Sequence, residues 1–331
     1  MYPRSMLDSD LVVIQGSNMA ECHPVAFRWP MQAKLKGAKL IHVDPRFTRT
    51  SAVADIHAPI RAGSDVAFLG GLVRYVLESE RWKGDPFFKE FVVNYTNAAT
   101  IVGGDFKDTE DVDGVFSGLM QYAPGIKEWP LDGFVGQYDT RTWQYAGAPA
   151  GAGATRLPDG PPFDTLVRSL LTPPPRRDET LQHPRTVFQI VKRHFSRYTP
   201  EMVERVTGCP RATFLEVAET ILANSGRDRT TSFAYAVAWT QHTNGPQTIG
   251  CCALLQLLLV NVGRPGAGVM ALRGHASIQG STDIPTLYHS IHGYMNQPSA
   301  LKRHDTLRDW LLAETTPRGY WANTRSSWSR I

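Results

Sequence analysis

The sequence has few cysteines, and none of them is spaced as a metal centre requires. The four cysteines are Cys22, Cys209, Cys251 and Cys252, and no two of them form a Cys-x-x-Cys pair. Iron–sulfur clusters and structural zinc sites draw their thiolates from such closely spaced pairs. We therefore predict no metal ligand in this chain, and no disulfide framework among so few cysteines.

The chain also lacks a long apolar run, and its one basic cluster, Arg176-Arg177, follows a proline run and is interpreted as part of a solvated loop. Its longest apolar run, residues 251–260, is too short to cross a bilayer. The first residues contain no apolar segment of the kind that defines a signal peptide. The net charge is only +4, and the basic residues are scattered. These absences predict a globular protein without a transmembrane segment or signal peptide, and they argue against a nucleic-acid partner.

Short apolar runs alternate with helical patterns along the chain. We predict strands at residues 11–15, 39–43, 58–60 and 231–237. We predict helices at residues 25–36, 65–78, 186–195, 200–206, 210–224 and 246–262. The order strand, helix, strand indicates a βαβ unit with parallel strands and a right-handed crossover. The predicted fold class is therefore α/β, with a doubly wound, mostly parallel, Rossmann-like sheet.

Glycine, proline and acidic residues interrupt this pattern between the two halves of the predicted sheet. Loops of that length are unusual inside a compact domain, so the segment is interpreted as an insertion. The predicted organisation has four parts. Residues 1–101 are the first part of an α/β domain, 102–180 a loop-rich insertion, 181–284 the second part of that domain, and 285–331 the start of a further domain.

Polar and glycine residues follow four of the predicted strands. Ligands of open α/β sheets bind outside the carboxyl ends of the strands, so these clusters predict one ligand site. The clusters are Gly16, Ser17, Asn18 and Glu21 after the first strand; Asp44 and Arg46 after the second; Arg61, Gly63, Ser64 and Asp65 after the third; and Thr240, Gln241, His242 and Gly245 after the fourth.

The turn after the first strand does not carry the G-x-G-x-x-G pattern of ordinary NAD-binding proteins. A helix N-terminus beside it can still hold a phosphate through backbone N–H groups. Asp44 stands where dinucleotide-binding folds place an acid on a ribose, although a turn cap is an alternative. Arg46 is suited to a phosphate, or else to an ion pair with Asp55 or Glu21.

The segment RGHASIQGSTD, residues 273–283, combines a fixed cation, two glycines and short polar side chains. The guanidinium of Arg273 matches a carboxylate or phosphate with two parallel hydrogen bonds. The alternative role for Arg273 is a salt bridge at a domain interface. Gln279 and Asp283 have the donors and acceptors that the edge of a pterin requires.

Six passages resemble, in the same order, the catalytic α subunit of respiratory molybdenum- or tungsten-dependent formate dehydrogenases, in the molybdopterin oxidoreductase superfamily. The resemblance covers roughly residues 7–298. The passages are GSNMAECHP (16–24), VDPRFTRT (43–50), QHPR (182–185), SRYTP (196–200), WTQH (239–242) and the Arg273 segment.

The resemblance implies a bis(molybdopterin guanine dinucleotide) cofactor that carries molybdenum or tungsten and oxidises formate to carbon dioxide. It implies that Arg273 holds the formate carboxylate. It also implies a set of cofactor contacts: Gly16, Asn18 and Glu21 near the dinucleotide; Asp44 and Arg46 at the guanosine; Gly63, Ser64 and Asp65 in the same pocket; and Gln241, Gly245, Gly274, Gln279, Gly280 and Asp283 towards the pterin.

The family also carries parts that precede and follow the matched region. They include the cysteine motif for a [4Fe-4S] cluster, a selenocysteine or cysteine metal ligand followed by histidine, and a large C-terminal part. The resemblance therefore predicts an internal fragment that is inactive alone. It implies an iron–sulfur β subunit and a membrane cytochrome b subunit as partners, in the periplasm. Another molybdopterin oxidoreductase, such as a nitrate or polysulfide reductase, or a non-catalytic cofactor-binding module, is the alternative.

Overall fold

The protein is described by a computed structural model that covers residues 2–83, 86–112, 142–147, 174–275, 278–284, 298 and 304–314. The chain forms two compact units. The first comprises Met1–Val102 and Arg176–Leu272, and the second comprises Gly103–Pro175 and Arg273–Ile331. Most of the predicted insertion and of the segment from residue 285 onward lies outside the described residues.

The first unit is built on one sheet of five parallel strands. The strands are β1 (Leu11–Gln15), β2 (Lys39–Val43), β3 (Ile56–Ala58), β4 (Thr231–Tyr235) and β5 (Gly268–Ala271). Their order across the sheet is β3-β2-β1-β4-β5. The central strands β1 and β4 are buried along their whole length, as a sheet covered on both faces requires.

Helices follow or separate these strands in the first unit. They are α1 (Met19–Cys22), α2 (Pro24–Leu35), α3 (Arg49–Ala52), α4 (Asp65–Glu78), α5 (Pro86–Tyr95), α6 (Val187–Phe195), α7 (Pro200–Thr207), α8 (Arg211–Ala223), α9 (Val237–Thr240) and α10 (Gly245–Leu258). The described part of the second unit contains α11 (Ile278–Asp283) and α12 (Leu307–Glu314).

Alternate side chains of β1 point into two separate apolar cores. Leu11 and Val13 belong to the larger core, which includes side chains of α4, α8 and α10 such as Phe68, Phe214 and Leu255. Val12 and Ile14 belong to a smaller core that α2 covers with residues such as Phe27. Because helices cover both faces, the sheet is doubly wound, and the predicted fold class is confirmed.

The strand predictions needed three corrections. The third strand is Ile56–Ala58, not residues 58–60, because Pro59 has no N–H to donate to a neighbouring strand. The fourth strand ends at Tyr235, and a short helix follows it. The fifth strand, Gly268–Ala271, was not predicted, because its glycine and alanine residues give little β signal. None of the described helices is long and apolar enough to span a membrane.

Candidate ligand-binding rim of the sheet

The strand order places a crevice between β1 and β4. The chain leaves β1 towards β2 on one side, and it leaves β4 towards β5 on the other. Loops that diverge in this way open a gap at the carboxyl ends of the two central strands, where α/β proteins bind their ligands. The turn at Gly16 and the turn before α9 border this gap. We call the loops that follow the carboxyl ends of β1 to β4 the rim.

Gly16 cannot be replaced by another residue without strain. Its φ of +69° lies in the left-handed region that favours glycine. A Cβ atom at this position would lie 3.0 Å from Trp239 Cδ1 and 3.1 Å from Ala238 Cβ. The two sides of the crevice therefore pack together at a glycine, so a structural requirement accounts for Gly16, and its predicted place near the dinucleotide stays a prediction.

Asp65 joins β1, α4 and α9 through its buried carboxylate. Its Oδ1 accepts a hydrogen bond from Gln15 Nε2 at 2.9 Å and another from Trp239 Nε1 at 3.2 Å. Only 6% of the residue is exposed. These bonds hold the floor of the crevice together, so a structural role accounts for Asp65. Its predicted contact with the cofactor stays a prediction.

Asn18 connects the loop after β1 to the loop after β2. Its Oδ1 accepts a hydrogen bond from Thr50 Oγ1 at 3.0 Å, and the same hydroxyl oxygen accepts from the backbone N–H of Ala20 at 3.0 Å. Asn18 also donates from Nδ2 to Glu21. Glu21 in turn lies 3.5 Å from Arg49 on the surface. The predicted pair Asn18 and Glu21 is thus one polar cluster at the exposed side of the rim.

Asp44 and Arg46 form a turn directly after β2. Asp44 Oδ1 accepts a hydrogen bond from the Arg46 backbone N–H at 2.8 Å. One of the two carboxylate oxygens therefore caps the turn, as the alternative interpretation of Asp44 predicted. The second oxygen, Oδ2, lies 3.8 Å from His42 Nε2. Neither acid considered as a partner of Arg46 pairs with it, because Glu21 pairs with Arg49 and Asp55 with Lys34. The exposed Arg46 side chain therefore stands beside a partly free carboxylate.

The loop between β3 and α4 is stabilised by contacts with α7. Arg61 Nη1 donates to the carbonyl oxygens of Arg205 at 2.8 Å and Val206 at 2.9 Å, which caps the carboxyl end of that helix. Ser64 Oγ donates to the Arg61 carbonyl at 2.6 Å. Arg61 and Ser64 thus have structural partners, whereas Gly63 is exposed with φ +81°.

The loop between α9 and α10 lies close to the loop that contains Gly63. A Cβ on Gly63 would lie 3.8 Å from His242 Nδ1. Gln241 is exposed, whereas Gly245 is buried. A Cβ on Gly245 would lie 2.7 Å from the Trp239 carbonyl oxygen and 3.0 Å from that of Thr240. Gly245 is therefore required by the backbone itself. Gln241 is one of the exposed side chains of this loop and is open to a ligand.

Gln15 and His42, two strand residues beside the rim, were not predicted from the sequence as ligand or positioning residues, whereas Ser17 was predicted in the first polar cluster. Ser17 Oγ and Gln15 Oε1 are buried, and each lacks a hydrogen-bond partner within the described part of the chain. His42 is fully buried beneath the same loop. Its polar side chain inside an apolar strand was the available signal for a special role. Burial lowers the pKa of His42, although the nearby Asp44 opposes this shift.

The remaining predicted residues belong to the second unit. Arg273 follows Leu272 in the sequence, and its side chain is exposed, as is Gly274. Gln279, Gly280 and Asp283 lie on α11. Gly280 is exposed, and a Cβ there would meet no atom within 4 Å. The side chains of Gln279 and Asp283 lie outside the described part of the structure, so the contacts predicted for them stay predictions.

Three of the four cysteines, Cys209, Cys251 and Cys252, are buried, whereas Cys22 is exposed. Burial raises the pKa of Cys209 to about 11 and that of Cys251 to about 12, and it also raises the pKa of Cys252. Burial thus favours the neutral thiol form of these three side chains. No group of three or more His, Cys, Asp or Glu side chains within the described ranges could hold a metal ion.

The rim has the features of a site for a large polar ligand. In or beside it are a glycine turn at the crevice, two buried oxygens with no hydrogen-bond partner among the described residues, and the Oδ2 atom of Asp44. Arg46 and Gln241 add an exposed guanidinium and an exposed amide group. Buried polar atoms without protein partners are rare, and a polar ligand could supply the partner that these atoms need. These residues fit a nucleotide with its phosphates and ribose.

Comparison with known proteins identifies the family. The molybdopterin oxidoreductase model matches residues 4–305. The nitrate-inducible formate dehydrogenase major subunit of Escherichia coli is 42% identical over 97% of this chain, which covers 27% of that subunit. The formate dehydrogenase subunit alpha of Megalodesulfovibrio gigas is 42% identical over 88% of this chain and is covered over 25% of its length.

A solved structure, the acetylene hydratase of Pelobacter acetylenicus, aligns with 80% of this chain and 25% of its own, with a TM-score of 0.45 and 17% identity. The chain thus spans about a quarter of the length of the curated relatives above. Since the family model matches residues 4–305 of the 331 residues, this chain belongs to the molybdopterin oxidoreductase family.

Proposed function

We propose that this chain forms part of the catalytic subunit of a formate dehydrogenase, which oxidises formate to carbon dioxide. The observation that carries the proposal is the 42% identity over 97% of the chain to a formate dehydrogenase major subunit. Since the chain spans about a quarter of that relative, catalysis requires further polypeptide in addition to these residues. The exposed Arg273 and the polar rim support the proposal from the structure.

The rim residues would hold one guanine dinucleotide of a bis(molybdopterin guanine dinucleotide) cofactor with molybdenum or tungsten. Asp44 Oδ2 would accept hydrogen bonds from the guanosine, and Arg46 would neutralise a phosphate. Gly16 and Gly63 would let the backbone approach the ligand closely. Asn18, Glu21, Ser64, Asp65 and Gly245 would shape the pocket around the dinucleotide. Gln241, Gly274, Gln279, Gly280 and Asp283 would face the pterin.

Arg273 would bind the substrate. Its guanidinium offers two parallel N–H groups to a carboxylate, so it can fix the orientation of formate. Conversion of formate to carbon dioxide breaks the C–H bond and releases one proton and two electrons. When bound, the metal–pterin group would accept the two electrons. Arg273 contributes by holding the anion in a reactive orientation.

The partners and the location follow from the same proposal. We infer that the complete subunit carries a [4Fe-4S] cluster whose ligands lie outside this chain. We also infer that an iron–sulfur β subunit receives its electrons, with a cytochrome b subunit in the membrane. The complex would act in the periplasm. The names of the relatives, major subunit and subunit alpha, support an assembly of several subunits.

A chimera tests the proposal. The aligned region of the Escherichia coli major subunit is replaced by this chain, and formate oxidation is measured with an artificial electron acceptor after the metal content is quantified. We expect formate oxidation, and a loss of about 10²-fold in kcat/KM for Arg273→Lys at unchanged metal content. Arg308→Lys, on the exposed side of α12, is the matched control and should retain full activity.

Only chimeric protein that contains the metal is used to decide between the possible substrates. If a metal-loaded chimera reduces nitrate or polysulfide and leaves formate unchanged, formate is not the substrate, and nitrate or polysulfide takes its place. A metal-loaded chimera with no redox activity at all would favour a non-catalytic cofactor-binding module.

A further inference from the structure

His42 is buried where the loop after β1 and the loop after β2 meet at the rim. Strand β2 places it beside Ile14 of β1, and its side chain is 0% exposed. The loop after β1 begins at Gly16, and the loop after β2 begins at Asp44. A buried histidine with an interaction at each ring nitrogen fixes the positions of both partners, because a lost bond would leave a polar group unsatisfied.

The hydrogen bonds of His42 determine its tautomer. Nε2 lies 3.1 Å from the Ser17 carbonyl oxygen, which can only accept, so Nε2 carries the proton. Nδ1 lies 2.7 Å from Ser51 Oγ. Neutral imidazole has one donor and one acceptor, so Nδ1 accepts the Ser51 hydroxyl proton. Ser51 Oγ accepts in turn from the Thr48 backbone N–H at 2.9 Å.

These bonds form a continuous chain from one loop to the other. It runs from the Thr48 N–H through Ser51 and His42 to the Ser17 carbonyl. At one end is the residue whose Oγ is buried without a partner in the described structure. At the other end is the loop that contains Asp44 and Arg46. The His42 imidazole therefore sets the distance between the Ser17 hydroxyl and the predicted guanosine contacts, Asp44 and Arg46.

We propose that His42 is a positioning residue that holds the Ser17 turn and the Asp44–Ser51 loop in the arrangement that a guanosine nucleotide requires. The inference rests on the proposed function of the rim. His42 does not contact the ligand; it acts through the Ser17 carbonyl and the Ser51 hydroxyl. Each of its two bonds governs one loop, so the two loops can be released separately.

Amide hydrogen exchange of the purified chain tests the two bonds one at a time. His42→Leu removes both bonds, and we expect exchange in residues 16–20 and 44–51 to become about tenfold faster. His42→Gln has an amide N–H near the Nε2 position, so it should restore slow exchange only in residues 16–20. His42→Asn has an acceptor near the Nδ1 position, so it should restore slow exchange only in residues 44–51.

Ile14→Val is the matched control, because it weakens the same buried region without changing a polar contact. Ile14→Val should leave the rate of amide exchange in both loops within twofold of the wild type. If amide exchange becomes equally faster in all variants, His42 contributes only by packing. Unchanged exchange in His42→Leu would overturn the proposal. Imidazole ¹⁵N shifts give an independent readout, since they should show a proton on Nε2 at neutral pH; a proton on Nδ1 would also overturn it.

Binding of GDP, measured by calorimetry, links the positioning role to the proposed function. We expect His42→Leu to bind GDP about tenfold more weakly than the wild type, and Ile14→Val to bind within twofold of it. If the wild type binds no GDP while the loops respond as described, the nucleotide site fails and the positioning of the loops stands. If GDP binds equally to both variants, the role of His42 in nucleotide binding is wrong.

The pH profile provides a readout that simple packing would not change. Protonation turns Nδ1 from an acceptor into a donor, so Ser51 would have to reverse its hydroxyl towards the Arg46 carbonyl, 3.5 Å away. The titratable groups that act on His42 are Asp44, which favours its charged form, and His57, which opposes it. Exchange corrected for intrinsic rates should rise on acidification in the wild type. It should stay flat in His42→Gln.

Discussion

The two halves of the rim reach close contact by different means. The loops after β1 and β2 are joined by side-chain hydrogen bonds, through Asn18 and Thr50 on the outside and His42 and Ser51 inside. The loops after β3 and β4 meet where glycines leave room for other groups, with Gly63 beside His242 and Gly245 against the backbone of α9. Asp65 connects the halves through Gln15 and Trp239.

This difference determines how each half tolerates change. Loss of one hydrogen bond leaves a local defect that water or a neighbouring side chain can partly repair. A side chain added against a carbonyl oxygen forces the backbone to move, and close-packed interiors yield only at a high cost. We therefore expect the β3/β4 half to be sensitive to added atoms and the β1/β2 half to be sensitive to removed ones.

The largest effect is expected for Gly245→Ala. The new Cβ would lie 2.7 Å from one carbonyl oxygen and 3.0 Å from another. We expect a loss of about 2–3 kcal/mol in the free energy of unfolding, measured by urea denaturation. Gly250→Ala is the matched control on the same helix, since a Cβ there meets nothing within 4 Å. It should gain about 0.5–1 kcal/mol through helix propensity, and equal losses in both variants would refute the steric argument.

Asp65→Ala tests the connection between the halves. It leaves the buried donors Gln15 Nε2 and Trp239 Nε1 without their shared acceptor, and we expect a loss of about 2 kcal/mol in the free energy of unfolding. Asp65→Asn keeps one acceptor oxygen and should lose about half as much. Trp239 fluorescence during unfolding reports the same change locally. If the alanine and asparagine variants are equally stable, the carboxylate bonds do not hold the halves together.

Thr50→Val removes one bridge of the β1/β2 half at nearly constant volume. The Ala20 N–H and Asn18 Oδ1 both lose their partner, so we expect a loss of about 1 kcal/mol in the free energy of unfolding. Thr50→Ser keeps the hydroxyl and serves as the control, with a smaller loss. A valine variant as stable as the serine variant would show that this bridge contributes nothing.

Glu21→Gln should have the smallest effect. The ion pair with Arg49 is 3.5 Å long and solvent-exposed, and such pairs contribute little in water. We expect a change within about 0.5 kcal/mol that disappears in high salt. A larger change that persists in high salt would contradict this expectation, because the glutamine can still accept the hydrogen bond from Asn18 and only the charge has been removed.

Much of the fold could be predicted from the sequence, because it depends on local patterns. β1, β2 and α4 begin and end where apolar periodicity predicts. β5 has no such pattern, and it is a strand because β4 offers it backbone partners. Tertiary context here overrides weak local preference.

The sequence predicted where the rim residues lie in the fold more accurately than it predicted their hydrogen-bond partners. Asp65 follows a strand end and has ligand chemistry, but its carboxylate accepts bonds from buried protein donors. His42 becomes notable only through the register that sets Ile14 beside it and brings the Ser17 carbonyl within reach. A sequence lists donors and acceptors, whereas the partners of each are determined by the three-dimensional arrangement.

The strand order also has a consequence for how the crevice forms during folding. β1, β2 and β3 come from one short stretch of chain, whereas the pairing of β1 with β4 sets Leu11 beside Thr231. Closing such a long loop costs chain entropy, which slows folding, although each doubling of loop length adds only about 0.6 kcal/mol. We expect the β1/β2 half of the rim to form early and the seam between β1 and β4 to close late. The ligand crevice lies on that seam, so the binding site is completed by one of the slowest steps of folding.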